Sequence, residues 1–300
     1  MTSAHEGMTA KFARFYRRSE GARGLALMSP TMLVMLAALA APMVLLALYS
    51  FWSQNGYALD THFSLAQYRI SLGRAGYRAL FLRSLEISSL VTVITVLLAY
   101  PMAYFVAFRV EKHKFVWLIL LTIPFWTSYL LRVFAWKVIL GYNGVINSGL
   151  LSLGLIHQPL EFLLYNPTAV VVTLAHAWAP FAILPIYVSL EKIDRSLLEA
   201  AADLGDGAVR RFFRITLPLS LPGVTAAAVV IFVPTTGDYV TPSLVGGSDG
   251  MMIANVIEVQ FDKVGNWPLG AALAMASMAA VGIVTILFVS ALRAAAGKIR

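Results

Sequence analysis

The sequence predicts an all-α integral membrane protein with six transmembrane helices, and three observations carry that prediction. Of the 300 residues 59% are hydrophobic and only 13% are charged, with a mean hydropathy of +0.76. No soluble core of this size needs so much apolar surface. Six apolar stretches, at about 26–51, 80–108, 116–139, 168–190, 221–243 and 268–292, each have the ~20 residues a bilayer helix requires. Basic residues fall in short blocks between these stretches and favour alternate loops, as topology signals do.

Residues 1–25 form a polar, basic tail with Lys11, Arg14, Arg17, Arg18 and Arg23, read as an uncleaved cytoplasmic segment. Arg109, Lys112 and Lys114 fall in the second loop, Lys192, Arg195, Arg210, Arg211 and Arg214 in the fourth, and Arg293, Lys298 and Arg300 at the end. These blocks hold 16 of the 23 basic residues and place both termini inside, with residues 26–293 as the membrane domain and 294–300 as a second cytoplasmic tail. Arg69, Arg74, Arg78 and Arg83, around the first outer loop, run against that bias, and the segment from Ser53 to Ala79 is long enough for a small helix of its own. Prolines 30, 42, 101, 124, 180, 185, 234 and 242 lie within the spans, where neighbouring helices can satisfy the freed carbonyls.

Several functions are excluded or left unsupported. The net charge of +8 makes no continuous patch of the kind nucleic acid binds. With no cysteine there is no thiol nucleophile, and His5, His62, His113, His157 and His176 are too scattered for a metal site. Gly297-Lys298 lacks the rest of a G-x-x-x-x-G-K-[ST] phosphate loop, so any ATP-driven role needs a second chain.

The stretch from Glu199 to Pro218, EAAADLGDGAVRRFFRITLP, stands apart from the apolar body. Ser196 and Glu199 have capping-box spacing, and Gly205 supplies a left-handed stop, which predicts a helix over about Leu197–Leu204. Asp206 can cap a second helix in which Val209, Phe212 and Phe213 share a face and Arg210, Arg211 and Arg214 point elsewhere. Such a charged knob lies outside the bilayer, as a solvated helix pair or as something that docks.

The spacing of Glu199-Ala200-Ala201, Gly205, Ile215 and Leu217-Pro218 resembles in full the EAA loop of bacterial ABC importer permeases. That resemblance implies that residues 196–218 are the coupling loop seated in a cytoplasmic ATPase, and the shared apolar face of Val209, Phe212 and Phe213 is the expected anchor. Four further runs, AYPMAYF from Ala99, PFWT from Pro124, GDYVTPSLVGG from Gly237 and NWPLGAA from Asn266, are similar to the spermidine/putrescine-type permeases. The likeness spans roughly residues 26–293. It implies a type I ABC importer permease fold, no catalysis on this chain, and ATP with Mg²⁺ on a partner. It also implies a second homologous permease subunit, two ATPase subunits, a periplasmic substrate-binding protein, and residence in the bacterial inner membrane.

For a cationic substrate the candidate pathway residues are Asp238, Tyr239, Trp126, Tyr129, Arg132 and Glu86. Counted along straight helices, Asp238 and Arg132 reach nearly the same depth. They are therefore an ion pair, a cation site, or one gate in two states. Glu86 either pairs with Arg83 or adds a carboxylate to an outer vestibule. Trp178 is another possible wall, and His176 reads as a neutral, hydrogen-bonded residue. An ion-coupled secondary transporter would need intramembrane carboxylates or broken helices, and an intramembrane enzyme a nucleophile–base pair.

Overall fold

In the computed structural model, which describes residues 20–56 and 58–297, the chain is a bundle of α-helices with one short β-hairpin. The order is α1 (Glu20–Ser50), β1 (Ser53–Asn55), β2 (Ala58–Asp60), α2 (Ala66–Gly73), α3 (Ala75–Phe108), α4 (Lys114–Thr122), α5 (Tyr129–Leu140), α6 (Val145–Ser152) and α7 (Pro167–Glu191). Then come α8 (Arg195–Asp203), α9 (Ala208–Arg211), α10 (Leu217–Thr236), α11 (Ile253–Val259) and α12 (Trp267–Gly297).

Among the described residues five helices are long and apolar enough to span a membrane: Ala26–Ser50, Ala75–Phe108, Pro167–Glu191, Ala208–Thr236 and Trp267–Leu292. The sixth stretch is broken. Lys114–Trp126 and Tyr129–Ser152 meet at 83°, so the expected straight helix over 116–139 is two arms around a bend. Pro124 sits in a 3₁₀ turn at Ile123–Trp126, and Thr127 and Ser128 are extended, which ends the helical ladder. The Thr127 hydroxyl donates to the Pro124 carbonyl at 2.8 Å and satisfies one acceptor that the break exposes.

The fifth span also differs from the expected 221–243. It starts at Ala208 and stops at Thr236. Pro218 lacks an N–H, and the preceding turn, Phe212–Thr216, widens to π-helical geometry with the Leu217 N–H on the Phe212 carbonyl. The helix therefore runs through the proline instead of ending there. Of the expected tails, residues 1–19 and 298–300 lie outside the described residues, and α1 already begins at Glu20.

The core is the triangle of α3, α7 and α10. Val91, Leu174, Ile183, Ile186, Leu190 and Ile231 are fully buried within it, and Ala99, Ala103, Ala182 and Ala227 let the backbones approach. α1 packs on α12 at the edge, leaving most of its apolar surface open. Gly223 marks the tightest crossing: a Cβ there would lie 2.4 Å from the Ser189 Cβ and 2.5 Å from the Pro185 carbonyl oxygen. Because backbone is among the clashing atoms, Gly223→Val is expected to destabilise the bundle by about 1–3 kcal/mol. A lower melting temperature in detergent is the check, and an unchanged one would show that this crossing is loose.

Each end of the bundle is tied by polar contacts. At one end Lys114 donates to Glu191 at 2.8 Å and to the Ala107 carbonyl, which also accepts from Arg195, joining α3, α4, α7 and α8. At the other, Gln54 donates to the Gly265 carbonyl, and the Ile253 N–H donates to the Ser84 hydroxyl. The segment 53–79 holds the hairpin as well as the small helix, α2.

Candidate coupling helices and candidate substrate cavity

The charged knob is built from α8 and α9. Its first cap is Asp194, not Ser196: the Asp194 carboxylate accepts from the Ser196 N–H at 3.0 Å, and Ser196 is the second helical residue. Aspartate is as good a cap as serine and comes earlier in the chain, so the Ser196–Glu199 box does not form. The Ser196 backbone N–H and side chain hold the Asp194 carboxyl below the usual carboxylate range. Its capping contribution is therefore complete above the ordinary carboxylate pKa and is lost as pH falls through the lowered value. Glu199 and Ala200 stay exposed, while Ala201 is buried.

α8 ends as the glycine requires. Gly205 has φ +87°, its N–H bonds the Ala202 carbonyl, and the Asp206 N–H bonds the Ala201 carbonyl, the paired pattern of a Schellman motif. Asp206 is not the second cap. Gly207 takes that place, and the Asp206 carboxylate pairs with Arg210 and Arg214, each at 3.3 Å. Arg211 donates to the Leu198 carbonyl and braces the two helices.

The expected anchor face divides. Val209 and Phe213 are 72% and 60% exposed, but Phe212 turns inward, with ring centroids 5.6 Å from Tyr100 and 6.3 Å from Tyr104. The π-helical turn that begins at Phe212 rotates the residues away from α-helical phase, so i, i+3, i+4 spacing misassigns it. Leu204, at 89% exposure, adds an apolar side chain that the sequence reading passed over. An apolar residue directly before the glycine stop was the available signal. Ile215, in the π-helical turn, and Leu217 and Pro218, the first residues of α10, are half-buried.

The second site lies at the other end of α10. A cavity of about 290 Å³ opens between α5, α7 and the end of α10, lined by Phe125, Tyr129, Arg132, Ala177, Trp178, Phe181, Pro234 and Asp238. Asp238 follows the helix end. One carboxylate oxygen accepts from the Val240 and Thr241 N–H groups at 2.9 and 3.3 Å, and the other accepts from the Tyr129 hydroxyl, which also meets the Thr241 hydroxyl at 2.6 Å. Asp238 is thus the N-terminal cap of the next helical turn as well as the one carboxylate lining the cavity.

Arg132 lines the same cavity without pairing with Asp238. It donates to the Ala177 carbonyl at 3.0 Å and the Thr127 carbonyl at 3.2 Å, is 8% exposed, and leaves its Nε without a partner. Counting depth along a straight helix failed because of the 83° bend. The guanidinium instead fastens the broken segment to α7, a duty for a planar, multi-donor cation.

Three other expected pathway residues lie elsewhere. Trp126 is 83% exposed outside the cavity lining, and Tyr239 is exposed, contributing its carbonyl to Asn255. Glu86 is exposed and does not pair with Arg83, which reaches the Ser248 carbonyl at 3.3 Å. Phe125 and Phe181, in edge contact at 4.8 Å between centroids, take the place of these aromatics in the wall. His176 accepts from Trp136 Nε1 at 3.1 Å.

Comparison with known proteins gives the family and the fold. The family described as "Binding-protein-dependent transport system inner membrane component" matches residues 23–297. The spermidine/putrescine transport system permease protein PotB of Salmonella typhimurium is 37% identical over 212 residues, covering 71% of this chain and 74% of that protein. The inner membrane ABC transporter permease protein YdcU of Escherichia coli is 34% identical over 225 residues, 71% of each chain. Among solved structures, a chain of a bacterial ABC transporter that imports the acidic polysaccharide alginate superposes with a TM-score of 0.72 at 16% identity, over 94% of this chain and 98% of that one. A chain of the MetNI methionine ABC transporter gives 0.52 at 13% identity, over 74% and 95%.

Proposed function

Because the chain belongs to the family of binding-protein-dependent transport system inner membrane components, we propose that it is the polyamine permease subunit of an ATP-driven importer and forms half of the translocation pathway. The observation that carries the substrate class is the cavity: four aromatic walls and one carboxylate suit an organic ammonium ion, while the Arg132 guanidinium in the same lining is turned to the Ala177 and Thr127 carbonyls. The relatives named for spermidine and putrescine point the same way. Likeness to the alginate importer is likeness of fold, and alginate's negative charge does not suit Asp238.

The reading has two working ends. Leu204, Val209 and Phe213 on the knob dock into an ATPase, where a few buried apolar residues can dominate the contact. Closure of two such ATPases around ATP and Mg²⁺ carries α8 and α9 with it. α9 continues into α10, so the motion reaches Asp238 at the far end of one helix. A second homologous permease completes the pathway, a periplasmic binding protein delivers the substrate, and both termini are cytoplasmic. An ion-coupled secondary transporter also uses broken helices, so the bend at Thr127 does not separate the two mechanisms. The family does.

The test is radiolabelled spermidine and putrescine uptake by cells that hold the partner subunits, with and without this chain. Uptake lost on deletion and restored by the intact chain is expected; uptake unchanged on deletion would remove the polyamine assignment.

A further inference from the structure

Between Asp60 and Glu86 the chain carries Arg69, Arg74, Arg78 and Arg83 and no carboxylate. Positive charge on the outer side opposes the bias that orients membrane proteins. Arg83 has an internal use, on the Ser248 carbonyl. Arg69, Arg74 and Arg78 are all exposed, and the ion pairs among the described residues, Lys114–Glu191, Arg210–Asp206 and Arg214–Asp206, do not involve them.

Their platform is rigid. Gln67 and Ser71 bury the opposite side of α2, Tyr68 donates to Ser50, and α2 packs on α12. The Arg74 N–H bonds the Ile70 carbonyl and the Arg78 N–H bonds the Arg74 carbonyl, so the single extended residue Arg74 ends α2 and begins α3. Arg74 also rests 5.9 Å from the Tyr77 ring centroid. With the backbone fixed, only the arginine side chains remain to be ordered when a partner arrives.

We propose that Arg69, Arg74 and Arg78 form the docking patch for an acidic surface of the substrate-binding protein; this rests on the orientation and permease role proposed above. Height above the membrane favours a protein over lipid headgroups. α3 has 34 residues, ~51 Å of helix. Counting ~30 Å of hydrocarbon back from Phe108 ends near Ser88, which lifts Arg78 and Arg74 ~15 and ~21 Å above it. The headgroup layer is only ~5–8 Å thick on each side. Arg83, on the same helix, touches the loop that follows the Asp238 turn, so a partner seated on the patch lies beside the outer loops of the pathway.

The test uses the complete transporter in neutral phosphatidylcholine nanodiscs, with the spermidine-loaded binding protein of the same system as probe. The readout is the binding-protein concentration that half-stimulates ATP hydrolysis. Reversing the charge in the triple variant Arg69→Glu, Arg74→Glu, Arg78→Glu should raise that concentration about tenfold or more and leave the maximal rate within about twofold. The corresponding lysine triple should stay within about twofold of wild type, since a solvated patch acts through charge. Wild type should also need more binding protein as salt rises from about 50 to about 300 mM, and the glutamate triple should not follow it.

An unchanged half-stimulating concentration in the glutamate triple, or an equal shift in the lysine triple, would overturn the patch. A shift that appears only when anionic lipid is present would assign the arginines to the membrane and overturn it too. Wild-type transporter that fails to respond to the binding protein would instead remove the permease reading, and the patch with it.

Discussion

Gly205→Val is expected to reduce polyamine uptake by at least about tenfold while the protein stays at normal levels in the membrane. The turn between α8 and α9 depends on φ +87° at this residue, a left-handed conformation that costs an L-residue about 1–2 kcal/mol, and a β-branched one more. No atom lies within 4 Å of the position of a Cβ there, so the penalty is backbone strain alone, without a clash that could unfold the bundle. A shift of ~1.4 kcal/mol changes a conformational ratio tenfold, enough to empty the native turn when the surrounding contacts are few. Those contacts are the Asp206 pairs with Arg210 and Arg214, solvent-screened, and one Arg211 bond to the Leu198 carbonyl. The knob would change shape and Leu204, Val209 and Phe213 would no longer present together. Gly205→Asn provides the contrast, because asparagine tolerates left-handed geometry and should keep most of the uptake. Quantified membrane levels beside vesicle uptake check both variants. A fully active valine variant would show that the turn plays no part in coupling.

The spans and the knob could be read from sequence because each rests on a local rule. A run of ~20 apolar residues is sufficient for a span, and five of the six stretches hold one continuous spanning helix, although α10 is offset. Gly205 could be read because a left-handed stop after a helix has few substitutes. Phe212 could not, since its inward turn depends on the wider turn forced by Pro218 and on Tyr100 and Tyr104, more than 100 positions away. The break at Thr127 was hidden because Pro124 is one of several prolines in apolar runs, and most of the others lie inside continuous helix. Cavity walls were the least legible feature. Spans that are apolar all round carry no phase to say which side faces a neighbour, so Phe125 and Phe181 looked no different from Trp126.

Asp238→Asn is expected to lower the maximal rate of polyamine uptake by roughly tenfold with little change in stability. Asparagine caps a helix as well as aspartate does, so the acceptor for the Val240 and Thr241 N–H groups remains. What disappears is the negative charge among Phe125, Tyr129, Trp178 and Phe181, together with the acceptor for the Tyr129 hydroxyl, which can turn to donate to the Thr241 hydroxyl and accept from the new amide NH2. Hydrogen bonds to charged groups are worth about 1.5–3 kcal/mol, and loss of ~1.4 kcal/mol at this step is already tenfold. On the function proposed above the effect falls on maximal rate, because a binding protein would capture the substrate first and Asp238 would act only after release. ATP hydrolysis stimulated by the binding protein should persist, since the knob lies at the far end of α10. Asp238→Ala loses the charge and the cap together, and should show the same transport defect with a further ~1 kcal/mol of lost stability, read as a lower melting temperature. Normal uptake in the asparagine variant beside a destabilised alanine variant would leave Asp238 as a cap alone. A defect in both, with stability lost only in the second, separates the charge that attracts a cation from the hydrogen bonds that hold the turn.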